Sequence, residues 1–298
     1  MEILLLGRTG QLGWELRRCL APLGRIHAPG PHEVDLEDLD GLRARLRARP
    51  FDVLVNAAAY TAVDDAEREP ERAFRVNAHA VEVLAREAQR RGALLVHFST
   101  DYVFDGTKGA PYTEDDEPRP RNVYGRSKLA GEEAIAAVAP PHLVFRTSWL
   151  YAARGKNFLR AILARARAGQ PLRVVADQVG APTWARHVAA ATAQILAQTL
   201  RPGRRTWEVP SGVYHLSARG EVSWFDFARA ILERLPPESR VPLEPTTTEA
   251  WGAPADRPRY SALDGGRVER VFGLRLPAWA EGLDAVAEEL ELGAGNSA

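Results

Sequence analysis

Unbroken apolar runs separated by amphipathic stretches organise the first half of the chain. EILLLG, FDVLVNAAA, GALLVHFST and HLVFRTSWLY lack the period-two alternation of a half-exposed strand, so they predict strands buried on both faces. Between two of them, PERAFRVNAHAVEVLAREAQRR keeps Ala73, Phe74, Val76, Ala80, Val83 and Leu84 on one helical face. Strand and helix in repeated alternation predict an α/β fold of Rossmann type, a doubly wound parallel sheet covered on both faces. From about residue 150 the pattern loosens. Prolines and glycines become denser, strands shorten to pieces such as YHLS, and helices recur in NFLRAILARARAG and SWFDFARAILERL. The expected organisation is a dinucleotide-binding domain over 1–150 and a smaller α/β substrate-binding region over 151–298, interleaved with the end of the sheet. The terminal GAGNSA is expected to fray.

Composition narrows the class. Acidic and basic residues balance at 39 each, so nothing calls for a nucleic-acid partner. No run reaches the roughly 18 apolar residues of a membrane span. MEILLLGRTG carries no basic leader, and the single Cys19, expected in the core of a helix, fits a reducing compartment. A cytoplasmic protein is the expectation.

Gly7, Gly10 and Gly13 form G-x-x-G-x-x-G between the first strand and the first helix. Glycines there permit a tight turn and let a pyrophosphate approach backbone amides at a helix N-terminus, which points to a dinucleotide. The second strand, RIHA, carries no carboxylate at its tip, whereas Arg8 inside the loop offers a cation to a 2′-phosphate. The reading is NADPH or NADH with a lean to NADP. Asp35, in the VDL segment, reaches the adenine side or simply starts a helix.

NVYGRSK places Tyr124 and Lys128 at i and i+4, on one face of a helix. The chain has only three lysines (Lys108, Lys128 and Lys156) against an arginine-dominated background. A lysine kept at this spacing suggests that an ammonium is needed beside the phenol, lowering its pKa from about 10. Such a tyrosine gives a proton to a carbonyl oxygen as hydride arrives at carbon. The hydroxyl pair Ser99-Thr100 ends the preceding apolar strand and completes a Thr/Ser–Tyr–Lys set. His97, His142 and His215 fall in strands without metal-ligand spacing and read as structural.

Taken together, GRTGQLG, NAAAYTAVDDAE, FSTDYVFDG and YGRSK resemble the dTDP-4-dehydrorhamnose reductase family, and RTSWLY, DQVGAPT and RPRYSALD extend the likeness over nearly the whole chain. The resemblance implies reduction of the 4-keto group of dTDP-6-deoxy-L-lyxo-4-hexulose to dTDP-L-rhamnose, with Thr100, Tyr124 and Lys128 catalytic. It implies that Gly7, Arg8, Gly10, Gln11, Leu12, Asp35, Leu36, Ala57, Ala58, Ala59, Tyr60 and Lys128 line the cofactor. Val63, Asp64, Thr100, Asp101, Tyr102, Tyr124 and Trp149 would face the nucleotide sugar. Some members of the family are homodimers bridged by magnesium through glutamates. Glu15, Glu288, Glu289 and Glu291 could offer carboxylates, but the sequence by itself gives no support for a metal.

Several positions keep two readings. Trp149 stacks on a sugar or base, or belongs to the core. Arg257 clamps a pyrophosphate or makes a salt bridge. Gln178 and Thr183, in DQVGAPT, donate to the sugar or shape a loop. Related 4,6-dehydratases place Asp-Glu where this chain has Asp101-Tyr102, which disfavours dehydration. Two alternatives to the reductase remain: an NDP-sugar 4-epimerase with the same triad, and an NADP-binding regulatory subunit of the methionine adenosyltransferase type.

Overall fold

The computed structural model describes residues 1–199 and 210–292, so the terminal GAGNSA lies outside the described residues. The buried apolar runs become strands of one parallel sheet. These are β1 (Glu2–Leu6), β2 (Arg25–His27), β3 (Val53–Asn56), β4 (Leu94–Thr100), β5 (His142–Thr147) and β6 (Gly212–His215). Their spatial order is β6-β5-β4-β3-β1-β2, and every pairing is parallel. The chain runs outward from β1 to β2 and then crosses to β3 on the other side of β1. The C-terminal ends of β1 and β3 therefore flank a topological switch point, where a ligand crevice is expected.

Helices cover both faces. On one, α1 (Gln11–Cys19) and a long helix of the second half, Ala185–Thr199, bury Leu12, Leu16, Val188 and Ile195 against Ile3, Leu5, Val55 and Val96. On the other, α2 (Leu39–Ala48), α3 (Ala80–Arg91) and α4 (Val123–Val138) bury Leu42, Leu84 and Ile135 against Leu4, Leu54 and Leu95. Asp38 accepts from the Gly41 amide to cap α2, and Asn122 accepts from the Gly125 amide to cap α4. A separate apolar cluster in the second half gathers Tyr151, Leu159, Trp184, Phe227 and Leu283. Strand β6 nevertheless returns to the sheet beside β5. Among the described residues, no helix is long and apolar enough to cross a membrane.

Three details depart from the pattern. The stretch ahead of α3 is not one regular helix: Arg75–His79 winds as a π-helix. There the buried Asn77 amide accepts from the Tyr60 N–H and donates to the Tyr60 C=O and the Ser127 hydroxyl on α4. The apolar run HLVFRTSWLY does not form one strand either. It stops at Thr147 and resumes at Leu150, because Trp149 takes a left-handed φ of 45° that no strand accommodates. Cys19 ends α1 half-buried, and burial pushes its thiol up.

Candidate functional site

A cleft of about 800 Å³ opens at the C-terminal ends of β1, β3 and β4. One wall is the glycine loop. Gly7 has φ +86°, and a Cβ there would lie 2.6 Å from the Ala57 backbone. A Cβ on Gly13 would lie 2.1 Å from the Gly7 carbonyl oxygen, so α1 can start directly on the loop only with glycine. Gly10 differs: a Cβ there would meet only the Gly7 carbonyl, at 3.4 Å, leaving open space on the cleft side. This is the cradle that a dinucleotide pyrophosphate requires, next to the N-terminal amides of α1. Arg8, Gln11, Leu12, Asp35, Leu36, Ala57, Ala58, Ala59 and Tyr60 line the same cleft, so every cofactor candidate from the sequence is brought to it. Arg8 is held toward the end of β2 by donating to the Ala28 carbonyl at 2.9 Å.

Thr100, Asp101, Tyr124, Lys128 and Trp149 line the rest of the cleft. The tyrosine reaches it because α4 packs very closely. A Cβ on Gly125 would sit 2.2 Å from the Tyr102 carbonyl oxygen, and one on Gly131 would sit 2.2 Å from that of Asn77. The structure corrects one electrostatic expectation. Lys128 does not lower the Tyr124 phenol; burial pushes that group up to about 12, with the Thr100 hydroxyl lowering it and Asp101 raising it. Burial thus favours the protonated phenol, the state that a proton donor to a ketone needs. Lys128 is 1% exposed and donates to the Phe98 carbonyl at 2.7 Å, with the His97 ring 3.2 Å away. Burial lowers its pKa to about 8, and nearby Glu132 raises it. Ser99, the other half of the hydroxyl pair, points away and donates to Glu132. Asp101 is buried, which raises its carboxyl to about 6 against the pull of the Ser261, Ser148 and Thr100 hydroxyls.

The remaining sugar candidates divide. Asp64 and Arg257 form a paired salt bridge with both contacts at 2.9 Å, and Arg257 also lies against the Tyr102 phenol. Neither partner of this pair lines the cleft, nor do Val63 and Tyr102, and the guanidinium already has its carboxylate partner. Val63 opens the short helix Val63–Ala66 that carries Asp64. Gln178 and Thr183 do not line the cleft. Gln178 donates to Thr248, and Thr183 donates to the Ala181 carbonyl inside its own loop. Trp149 lines the cleft, half-buried, and stacks on Trp224, with ring centroids 3.5 Å apart and planes within 3°. Gly180 makes room for that stack, since a Cβ there would strike the indole at 2.5 Å.

Some site residues carry no sequence signal. Asn77 fixes Tyr60 and α4 through a side chain in the irregular segment described above. Asn157 caps the helix Phe158–Arg167 and donates to Gln11 at 2.8 Å, closing the cleft with Gly155 and Lys156. His97, in β4, touches Lys128 from beneath.

A bridging magnesium does not fit these residues. The Arg186 guanidinium sits between Glu15 and Glu289, donating at 3.1 Å and 3.0 Å respectively. No group of three or more potential ligands comes together among the described residues. A divalent cation at Glu15 would face a fixed positive charge, which already neutralises the buried carboxylate. Treatment with EDTA is expected to leave turnover unchanged, with no recovery to gain from added magnesium; a loss restored by magnesium would contradict this reading of Arg186.

Comparison with known proteins agrees with the geometry. The family model described as RmlD substrate binding domain matches residues 1–292. A dTDP-4-dehydrorhamnose reductase of Burkholderia thailandensis is 47% identical over 94% of this chain and 95% of its own length. One from Salmonella typhimurium is 43% identical over 97% and 98%. The crystal structure of a dTDP-4-dehydrorhamnose reductase from Bacillus anthracis in complex with NADP superposes with a TM-score of 0.89 at 32% identity, covering 97% of this chain and 99% of that one. With its glycine cradle and its Thr100–Tyr124–Lys128 wall meeting in one cleft, the chain belongs to the RmlD family, the dTDP-4-dehydrorhamnose reductases.

Proposed function

We propose that this chain reduces the 4-keto group of dTDP-6-deoxy-L-lyxo-4-hexulose to the alcohol of dTDP-L-rhamnose, with Tyr124 as the proton donor. NADPH or NADH, bound along the glycine loop, supplies the hydride. Tyr124 gives its proton to the carbonyl oxygen, Thr100 hydrogen-bonds the same oxygen, and Lys128 holds the nicotinamide ribose near the phenol. Asp64, Arg257, Tyr102 and Trp149 frame the sugar side. The observation that carries the reading is the placement of the Tyr124 phenol and the Thr100 hydroxyl across one cleft from the glycine cradle. Arg8 beside the β2 end supports a preference for NADPH. The half-buried lone thiol of Cys19 is compatible with cytoplasmic residence.

The test follows reduced-nicotinamide absorbance with NADPH and NADH in parallel, on the enzymatically prepared keto sugar. Substrate-dependent oxidation yielding a dTDP-6-deoxy sugar is expected, faster with NADPH. Tightly bound NAD with no net nicotinamide consumption would instead indicate an epimerase. Co-purification with a synthetase, without turnover, would indicate a regulatory subunit.

A further inference from the structure

Lys128 has a neighbour that the reductase mechanism does not use. Asn56 at the end of β3, His97 in β4 and Lys128 in α4 are 1%, 0% and 1% exposed. They form a chain with Asn56 Nδ2 3.1 Å from His97 Nδ1, and His97 Nε2 3.2 Å from Lys128 Nζ. The direction of the chain can be worked out. The Ala58 backbone N–H donates to Asn56 Oδ1 at 3.2 Å, which fixes the amide with its NH2 toward the ring. Burial holds the imidazole well below its usual pKa, so it is neutral, with one acceptor nitrogen and one N–H. The acceptor is Nδ1, because it faces the Asn56 NH2. The ring proton is therefore on Nε2 and points at Lys128 Nζ.

An ammonium has no lone pair for that N–H; an amine has one. We propose that Asn56 and His97 form a donor chain that favours the unprotonated form of Lys128, making His97 a positioning residue that sets where the lysine titrates. Protonating Lys128 requires the ring proton to move to Nδ1, which costs the Asn56 hydrogen bond or, if the amide turns over, the one from Ala58. The other groups around the lysine act differently. Glu132, four residues along α4, favours the ammonium but is already engaged by Arg146 of β5 and Ser99 of β4. Tyr124 lies one turn earlier on α4, and Asp101 follows β4 on the cleft side. Burial itself lowers the Lys128 pKa to about 8, and the donor chain would act on top of that.

The inference rests on the catalytic reading of Tyr124 and Lys128 for its effect on turnover, but not for the tautomer itself. Two measurements separate them. Nitrogen-15 NMR of the resting protein reads the ring directly, and a protonated Nε2 with unprotonated Nδ1 is expected for His97. A ring protonated on Nδ1 would overturn the proposal whatever the enzyme catalyses. The second measurement is the pH profile of kcat/KM for His97→Gln, whose carboxamide oxygen can accept from the ammonium. Activity that needs the ammonium is lost as pH rises through the Lys128 pKa, and this alkaline limb is expected to move up by about one pH unit in the variant. The carbon-13 shift of Lys128 Cε, titrated without substrate, should move equally. A uniformly lower rate with an unmoved limb and an unmoved Cε titration would mean that His97 only packs.

Discussion

Tyr124→Phe is expected to lower turnover by roughly 10²–10⁴-fold while NADPH still binds. The phenol lines the cleft beside Thr100, and burial favours its protonated form. Burial has pushed it up to about 12, so removing the hydroxyl removes the donor rather than a charge. The ring itself stays useful: Tyr124 packs edge-on against Tyr102 at 6.0 Å, and phenylalanine keeps that contact and the helix around it. The opposite wall of the cleft, built from the loop at Gly7 to Leu12 and from Ala57 to Tyr60, does not depend on the phenol oxygen. Calorimetric NADPH binding and single-turnover hydride transfer, measured on the same preparation, check both halves. A variant turning over at the wild-type rate would remove Tyr124 from the mechanism, whereas loss of binding and turnover together would point to a collapsed cleft.

The parts of this site that could be read from the sequence are those encoded by neighbours in the chain. The glycine loop follows a buried strand directly, and Tyr124 and Lys128 share a helical face because they are four residues apart. The reductase likeness placed Thr100 at a strand end, where the cleft is. Missing from that reading were contacts made by sheet pairing and helix packing. Asn56 and His97 are 41 residues apart and meet only because β3 and β4 lie side by side in register. Arg186 reaches Glu15 over 171 residues, a pairing that no local spacing encodes. The expected depression of the Tyr124 pKa failed for the same reason. Lys128 is spaced correctly, but its Nζ is held at the Phe98 carbonyl and against His97 by the strand beneath it. Apolar periodicity also could not show the break at Trp149, whose left-handed backbone is supported by a ring from residue 224.

Glu132→Ala should be the most destabilising change near the site, costing on the order of 3–5 kcal/mol of unfolding free energy. Tyr124, Lys128 and Glu132 form a row on α4, and Glu132 is its buried end, 5% exposed. Its carboxylate takes three contacts from the Arg146 guanidinium, at 3.0, 3.2 and 2.7 Å, and one from the Ser99 hydroxyl. Arg146 is 4% exposed, and its Nη1 already has no partner among the described residues. Truncating the glutamate leaves a guanidinium that cannot lose its proton, enclosed between β5 and the Phe104 ring. The penalty is the uncompensated charge, not the value of the pair, so Glu132→Met combined with Arg146→Met should recover much of the loss. Urea denaturation of the two single variants and the double variant measures the coupling directly; a double variant as unstable as the sum of the singles would mean that packing, not charge, sets the cost. The same truncation removes the carboxylate that favours the Lys128 ammonium, so the alkaline limb of the activity profile should also shift to lower pH.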